Sequence, residues 1–155
     1  MKGNEQVIKQ LNARLAEELT AINQYFVHAE MCENWRYKRL HEMIFKRSIQ
    51  EMKHAEKLIA RILFLEGVPI VSDLNKIHIG NEVPKMYKND HAAEVAAIRG
   101  YNESIRVAME NGDNGSRELF ESILLEEEEH VDVIEAQIDQ ISQMGIQNYL
   151  VEQID

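Results

Sequence analysis

EMKHAE, residues 51–56, and EEEHVD, residues 127–132, share a Glu-x-x-His step: Glu51 with His54 and Glu127 with His130. The offset that carries Glu51 to Glu127 and His54 to His130 also carries Glu18 to Glu94. In each copy a lone Glu comes first, Glu18 before Glu51 and Glu94 before Glu127, and the His follows the second Glu by three, which puts the last two on one helix face. Two carboxylates and an imidazole, written twice at one offset, are the arithmetic of a two-metal site. Three matched offsets are hard to obtain by accident.

Apolar residues at steps of three and four extend from these motifs through the chain and predict four long helices and a short tail. The first runs over about residues 5–33, with Ile8, Leu11, Leu15, Leu19, Ile22, Phe26 and Ala29 as its apolar face. The second, about 36–65, follows a tight turn at Asn34-Trp35-Arg36 and presents Leu40, Ile44, Ser48, Glu51, Ala55, Leu58, Ile62 and Leu65. The third, about 83–111, presents Val83, Tyr87, Asp90, Glu94, Ala97, Tyr101, Ile105 and Ala108, and stops where Gly112 suits a left-handed cap. The fourth, about 115–144, carries Phe120, Ile123, Glu127, His130, Ile134, Ile138 and Ile141. A fifth, 146–153, has only Ile146, Tyr149 and Leu150 to bury and must dock on something else.

Residues 66–82 form a connection that is long for a compact domain. It can extend about 55 Å, whereas a helix of roughly 29 residues is about 43 Å long. The connection therefore has the reach to return along the bundle and start the third helix at the opposite end. The expected fold class is all-α: a ferritin-like four-helix bundle with one long crossover. Ligand heights agree with it. Glu18 and Glu51 stand almost equally far from the turn at Trp35, one before it and one after, and Glu94 and Glu127 do the same about Gly112. Within each hairpin the acids are level to about one turn, roughly 5 Å.

A chain of 155 residues fits one domain, 1–155, and two prolines and seven glycines leave helix favoured nearly throughout. The formal charge of −10 argues against binding a phosphate backbone and suits a surface that concentrates cations. One cysteine, Cys32, cannot close an intrachain disulfide and reads as a packing thiol. The opening MKGNEQVIKQ lacks an apolar signal segment, so the expected location is the cytoplasm, with no membrane or nucleic-acid partner.

In a chain that is 28% charged, any single glutamate is ordinarily solvated. Here four interrupt apolar stripes at core positions. An unpaired buried carboxylate costs several kcal/mol, and four together require compensating charge. Two divalent metal ions would supply it. Two neutral imidazoles complete an oxygen and nitrogen donor set suited to iron or manganese. Two lone glutamates plus two Glu-x-x-His pairs are the ligand set of di-iron carboxylate bundles; on that template Glu51 and Glu127 bridge, while Glu18 with His54 and Glu94 with His130 each terminate one metal. Tyr25 and Tyr101, related by the same offset, are placed either to hydrogen-bond ligand carboxylates or to serve as ordinary core residues. His28, His41, His78 and His91 have no partner at ligand spacing.

MKGN at the start, ELTAINQYF around Glu18, EMKHAE around Glu51 and His54, RILFLEGVP, EEEEH around His130 and the closing MGIQNYL resemble the bacterioferritins, haem-containing members of the ferritin superfamily, nearly end to end. The resemblance implies a homo-oligomeric shell of 24 subunits and ferroxidase oxidation of Fe(II) by O2 or H2O2, with catalysis at Glu18, Glu51, His54, Glu94, Glu127 and His130. It implies storage of Fe(III) as a mineral, two iron ions per subunit, and a ferredoxin-type electron donor for iron release. It also implies a b-type haem shared between two subunits with Met52 of each as axial ligand, Leu19, Asn23, Phe26 and Ile49 lining the pocket. Met52 lies one residue after Glu51, so it points about 100° away from the metal face. Some members carry a His and an acid near positions 46 and 50, where this chain has Lys46 and Gln50, which puts an auxiliary inner iron site in doubt.

Three other readings use the same residues. A rubrerythrin-like di-iron peroxidase usually brings paired Cys-x-x-Cys motifs, which a single cysteine cannot supply. A manganese catalase is compatible with the ligands alone. A non-enzymatic helical module with structural metal would hold the same ions without oxidising Fe(II).

Overall fold

The structure, a computed structural model, describes residues 1–155 as five helices: α1 (Glu5–Asn34), α2 (Lys38–Phe64), α3 (Val83–Glu110), α4 (Asn114–Met144) and α5 (Ile146–Val151). α1 and α2 form one antiparallel hairpin and α3 and α4 the other; α1 lies against α3 and α2 against α4. This is a ferritin-like four-helix bundle with a short C-terminal fifth helix. No helix is long and apolar enough to cross a membrane.

Local chemistry sets the helix ends. The Asn4 side chain accepts from the backbone N–H groups of Gln6 and Val7 at 2.8 and 3.2 Å, capping α1. Asp113 caps α4 by accepting from the Ser116 N–H at 2.9 Å, and it also takes a hydrogen bond from Arg61 of α2 at 2.7 Å. α3 stops at Gly112, whose φ of 67° is the expected left-handed cap. The first two helices stop the same way without glycine, at Arg36 (φ 66°) and Glu66 (φ 61°), each followed by a bond back to the helix, Tyr37 N–H to Cys32 O and Gly67 N–H to Ile62 O. The left-handed Arg36 is why α2 opens at Lys38 and not at 36.

On α1 the core face differs from the expected stripe. Val7, Leu11, Leu15, Glu18, Tyr25, Ala29 and Cys32 are buried, whereas Phe26 is 49% exposed. The inward stripe is set by Glu18 and Tyr25, polar residues that an apolar count passes over.

Two hydrophobic clusters fill the bundle. One gathers Val7, Leu11, Leu15, Leu58, Ile62, Phe120 and Ile123; the other gathers Tyr25, Ala29, Leu40, Ile44, Met86, Tyr87, Ile134 and Tyr149. Each buried Leu or Ile contributes about 1.5–3 kcal/mol relative to exposure. On every long helix the gap between the clusters falls where the candidate ligands stand. α5 closes one end: Tyr149 is fully buried and its hydroxyl donates to Gln137 at 2.6 Å.

The crossover is fastened to α1 by side chains. Asn12 donates to Val68 O at 3.1 Å and accepts from Ile70 N–H at 2.9 Å. Thr20 accepts from Asn75 N–H at 2.8 Å, Gln24 from His78 N–H at 3.1 Å and His28 Nε2 from Gly80 N–H at 2.9 Å. These contacts climb about 24 Å of helix, so the loop's backbone groups are satisfied by polar residues on α1. Because Nε2 of His28 accepts, its proton lies on Nδ1, which donates to the buried Asp90 at 2.9 Å. Gln24 also donates to Asp90, at 2.8 Å. A Cβ at Gly80 would come within 2.4 Å of Met86 N, so the loop can join α3 this closely only through glycine.

Thr20→Val keeps the shape of the side chain and removes the acceptor. The Asn75 amide is expected to exchange with solvent about tenfold faster, with core amides of α1 unchanged, in hydrogen-exchange mass spectrometry; unaltered exchange across 70–80 would contradict this account of the crossover.

Candidate metal centre

Six side chains converge between the two hydrophobic clusters. Glu18, Glu51, His54, Glu94 and Glu127 are at most 2% exposed and His130 is 6% exposed. They form two groups, Glu18, Glu51, His54 and Glu127, and Glu51, Glu94, Glu127 and His130, each with one ligand atom per residue and all those atoms within 4.8 Å of one another. Glu51 and Glu127 belong to both groups, the position a bridging carboxylate requires.

The imidazoles are oriented for ligation. His54 Nδ1 lies 2.9 Å from Glu51 and Glu127 oxygens and 3.5 Å from Glu18, while Nε2 faces a Glu126 oxygen at 2.6 Å. His130 Nδ1 lies 3.1 Å from Glu51 and 3.3 Å from Glu94, and Nε2 meets Gln50 Oε1 at 3.0 Å. In both rings Nε2 faces an outer acceptor and Nδ1 turns inward toward the carboxylates, the orientation that metal-ligating histidines use. Gln50 and Glu126 are themselves counterparts at the repeat offset, a signal that the spacing of the six ligands does not disclose.

Tyrosines tie the halves together crosswise. Tyr25 of α1 donates to Glu94 of α3 at 2.6 Å, and Tyr101 of α3 donates to Glu18 of α1. Lacking one phenol, a terminal carboxylate would lose its tyrosine donor from the opposite hairpin. Both phenols are held well above their ordinary pKa, by burial first and then by the carboxylates beside them, and so remain donors at neutral pH.

The four acids have no Lys or Arg counter-ion. No Lys or Arg stands within ion-pair distance of any of them; the basic groups that reach them at that distance are the imidazoles of His54 and His130. Glu51 Oε1, Glu94 Oε2, Glu127 Oε1 and His130 Nδ1 are buried without a hydrogen-bond partner. Buried orphans of this kind are rare and costly, and four of them within the two overlapping ligand groups fit a divalent metal pair. The donor set, hard carboxylate oxygens with two imidazoles, suits iron or manganese.

The electrostatics follow from crowding. Burial, then the charges of Glu18 and Glu94, hold Glu51 well above the usual carboxylate range; burial, then Glu51, Glu18 and Glu94, do the same to Glu127. Burial also pushes Glu94 up, but hydrogen bonds from Glu127, His130 and Tyr25 outweigh it and lower the group to about 2. For His54 burial favours the neutral ring, yet hydrogen bonds to Glu127, Glu18 and Glu51 prevail and raise its pKa.

On the outer side of the α1–α2 hairpin Met52 is 49% exposed, with its side chain turned away from the centre. The rings of Phe26 and Phe45 meet at 6.2 Å across the hairpin, a register that sets Leu19 level with Met52. Asn23 is exposed and Ile49 half-buried on the same strip. A neutral thioether on an apolar surface fits haem iron as an axial donor. Lys46 is exposed, and Gln50 is engaged with His130. Of the remaining histidines, His28 belongs to the Asp90 network, His41 bonds Ala29 O and His91 bonds Glu135.

Residues 8–144 match the family described as ferritin-like domain. The chain is 42% identical to the bacterioferritin of Rhodobacter capsulatus over 149 residues, 96% of this chain and 92% of that protein. It is 39% identical to the bacterioferritin of Brucella melitensis with the same coverage, and 39% identical to that of Streptomyces coelicolor over 97% of this chain and 90% of that protein.

Glu51 and Glu127, raised above their unfolded value of 4.5, keep protons in the fold that the unfolded chain has lost. The metal-free fold binds more protons than the unfolded chain above that pH, so its stability from these groups falls as pH rises through their folded values. Metal binding must release those protons. Zn(II) titration calorimetry in buffers of different ionisation enthalpy is expected to show net proton release near pH 6.5 and affinity that rises with pH; binding with no proton release would contradict the protonated centre.

Proposed function

The chain belongs to the bacterioferritin family of ferritin-like proteins, and from that premise and the six-residue centre we propose that it oxidises Fe(II) to Fe(III) and stores the ferric product. The observation that carries this reading is the buried set of four carboxylates and two imidazoles, with unpartnered polar atoms among them and no Lys or Arg within ion-pair distance. Iron is the substrate. Two Fe(II) ions are held by Glu18, Glu51, His54, Glu94, Glu127 and His130, with Glu51 and Glu127 reaching both. Each ion gives up one electron. Two electrons and two protons convert O2 to H2O2, or H2O2 to two waters, so the pair matches the demand of either oxidant.

The protein's share of this chemistry is positional and electrostatic. Four carboxylates balance two divalent ions and, after oxidation, leave two positive charges that favour release of Fe(III) or its neutralisation by hydroxide. Glu51 and Glu127 give up their protons as the ions bind, and the two protons that the oxidant takes up come from solvent water. Tyr25 and Tyr101 orient the terminal carboxylates through the hydrogen bonds described above, and carboxylates accept both oxidation states of iron. Ferric product passes to a mineral held inside a homo-oligomeric shell of 24 subunits, as the family implies.

Met52 is the residue on which the haem reading rests. Paired with its counterpart from a second subunit, its sulfur would hold the iron of one haem, with Leu19, Asn23, Phe26 and Ile49 around the ring; bound there, the haem supplies a one-electron route between the outer surface and the stored iron. A ferredoxin-type partner is the class of donor that such a route requires for iron release.

Adding Fe(II) aerobically to the apoprotein and following ferric absorbance tests the oxidation. Wild type is expected to oxidise many irons per subunit, and Glu51→Ala and Glu127→Ala to lose about 100-fold or more in initial rate, since loss of even an outer partner costs about 10–100-fold. Wild-type oxidation no faster than the variants would overturn the proposal. Separately, Met52→Leu is expected to abolish haem absorbance while leaving initial Fe(II) oxidation within about twofold of wild type; retained haem would remove Met52 from that role.

A further inference from the structure

The two halves of the centre are equivalent in every ligand, but not in what holds the imidazoles. Gln50 and Glu126 are repeat counterparts, each immediately before a shared glutamate. Each reaches to the opposite hairpin: Glu126 Oε2 accepts from His54 Nε2 at 2.6 Å, and Gln50 Oε1 from His130 Nε2 at 3.0 Å. The geometry is the same and the chemistry differs. Glu126 is a carboxylate, with the Lys57 ammonium 3.8 Å from its other oxygen; Gln50 is a neutral amide.

A carboxylate that accepts from the far nitrogen of a ligating imidazole raises the basicity of the near nitrogen and fixes the ring, whereas an amide supplies only a dipole. The tyrosine contacts do not offset this difference, because Tyr25 donates to Glu94 as Tyr101 donates to Glu18. Resting on the reading of these six residues as a metal centre, we propose that the two metal positions are inequivalent. The position held by Glu18 and His54 binds a divalent cation more tightly than the one held by Glu94 and His130, because Glu126 positions His54 and Gln50 positions His130. The first ion therefore settles on the His54 side, and the second completes the pair against the weaker imidazole.

Anaerobic Co(II) titration of the assembled apoprotein, followed by visible absorption and equilibrium dialysis, separates the two steps. Wild type is expected to show two affinities about 10–100-fold apart. Glu126→Gln should weaken the first step by about that factor and shift the absorption bands of the first-bound ion, with the second step and the apoprotein melting temperature unchanged. Glu126→Asp, which keeps the carboxylate, should retain most of the first affinity. Gln50→Glu should tighten the second step until the two converge. The inference is overturned if Glu126→Gln leaves both affinities and the first-step spectrum as in wild type, or weakens both steps equally with a loss of apoprotein stability. Failure of wild type to bind two Co(II) ions, or undiminished binding in Glu51→Ala, would defeat the metal centre itself and this inference with it.

Discussion

Four carboxylates buried together at the waist of a helical bundle are the constraint on which the rest of this molecule depends. Left ionised and unpaired, each would cost several kcal/mol, and Arg or Lys partners at ion-pair distance are missing. Burial and the neighbouring acids hold Glu51 and Glu127 well above the usual carboxylate range, and His54 and His130 stand against the acids. Such a centre is tolerable only because the hydrophobic clusters above and below it hold the bundle closed from both sides. Packing sustains the electrostatic stress, and metal relieves it. Stability and function are thus opposed at one spot, as is common where a site is kept strained for use.

The crossover sets the direction in which the second hairpin runs against the first. The second hairpin begins at the far end of the first, beside His28 of α1, so the chain travels the length of the bundle without regular structure. Asn12, Thr20, Gln24 and His28 satisfy its backbone along the way. Gln24 and His28 also engage Asp90 of α3, one helical turn before Glu94, so the strap that closes the topology is joined to the helix that carries a ligand. The chain-fold repeat then makes a near-twofold centre, and Gln50 opposite Glu126 is where that symmetry is broken by charge.

Much of this is legible in the sequence because the repeat is numerical. One recurring offset selects Glu18, Glu51, His54, Glu94, Glu127 and His130 without any reference to hydrophobicity, and the length of residues 66–82 points to a crossover. Helix ends are less legible: Gly112 announces its left-handed cap, whereas Arg36 and Glu66 adopt the same conformation with side chains that give no signal. The α1 stripe is misassigned at Phe26, since apolar counting favours a phenylalanine over the Glu18 and Tyr25 that in fact face inward. The crosswise pairing of Tyr25 with Glu94 and Tyr101 with Glu18 is a property of how the hairpins face one another, which spacing within a single helix cannot reveal. The haem role proposed for Met52 carries no periodic signal; its reading comes from family resemblance joined to an exposed thioether.

Anomalous diffraction at the iron absorption edge, from crystals of the protein soaked anaerobically in Fe(II), tests the central claim most directly. Two peaks about 3.5–4 Å apart, both within ligand distance of Glu51 and Glu127 and each adjacent to one of His54 and His130, are the result this account predicts. Iron bound elsewhere on the acidic surface, with the space between Glu51 and Glu127 empty of metal, would contradict it.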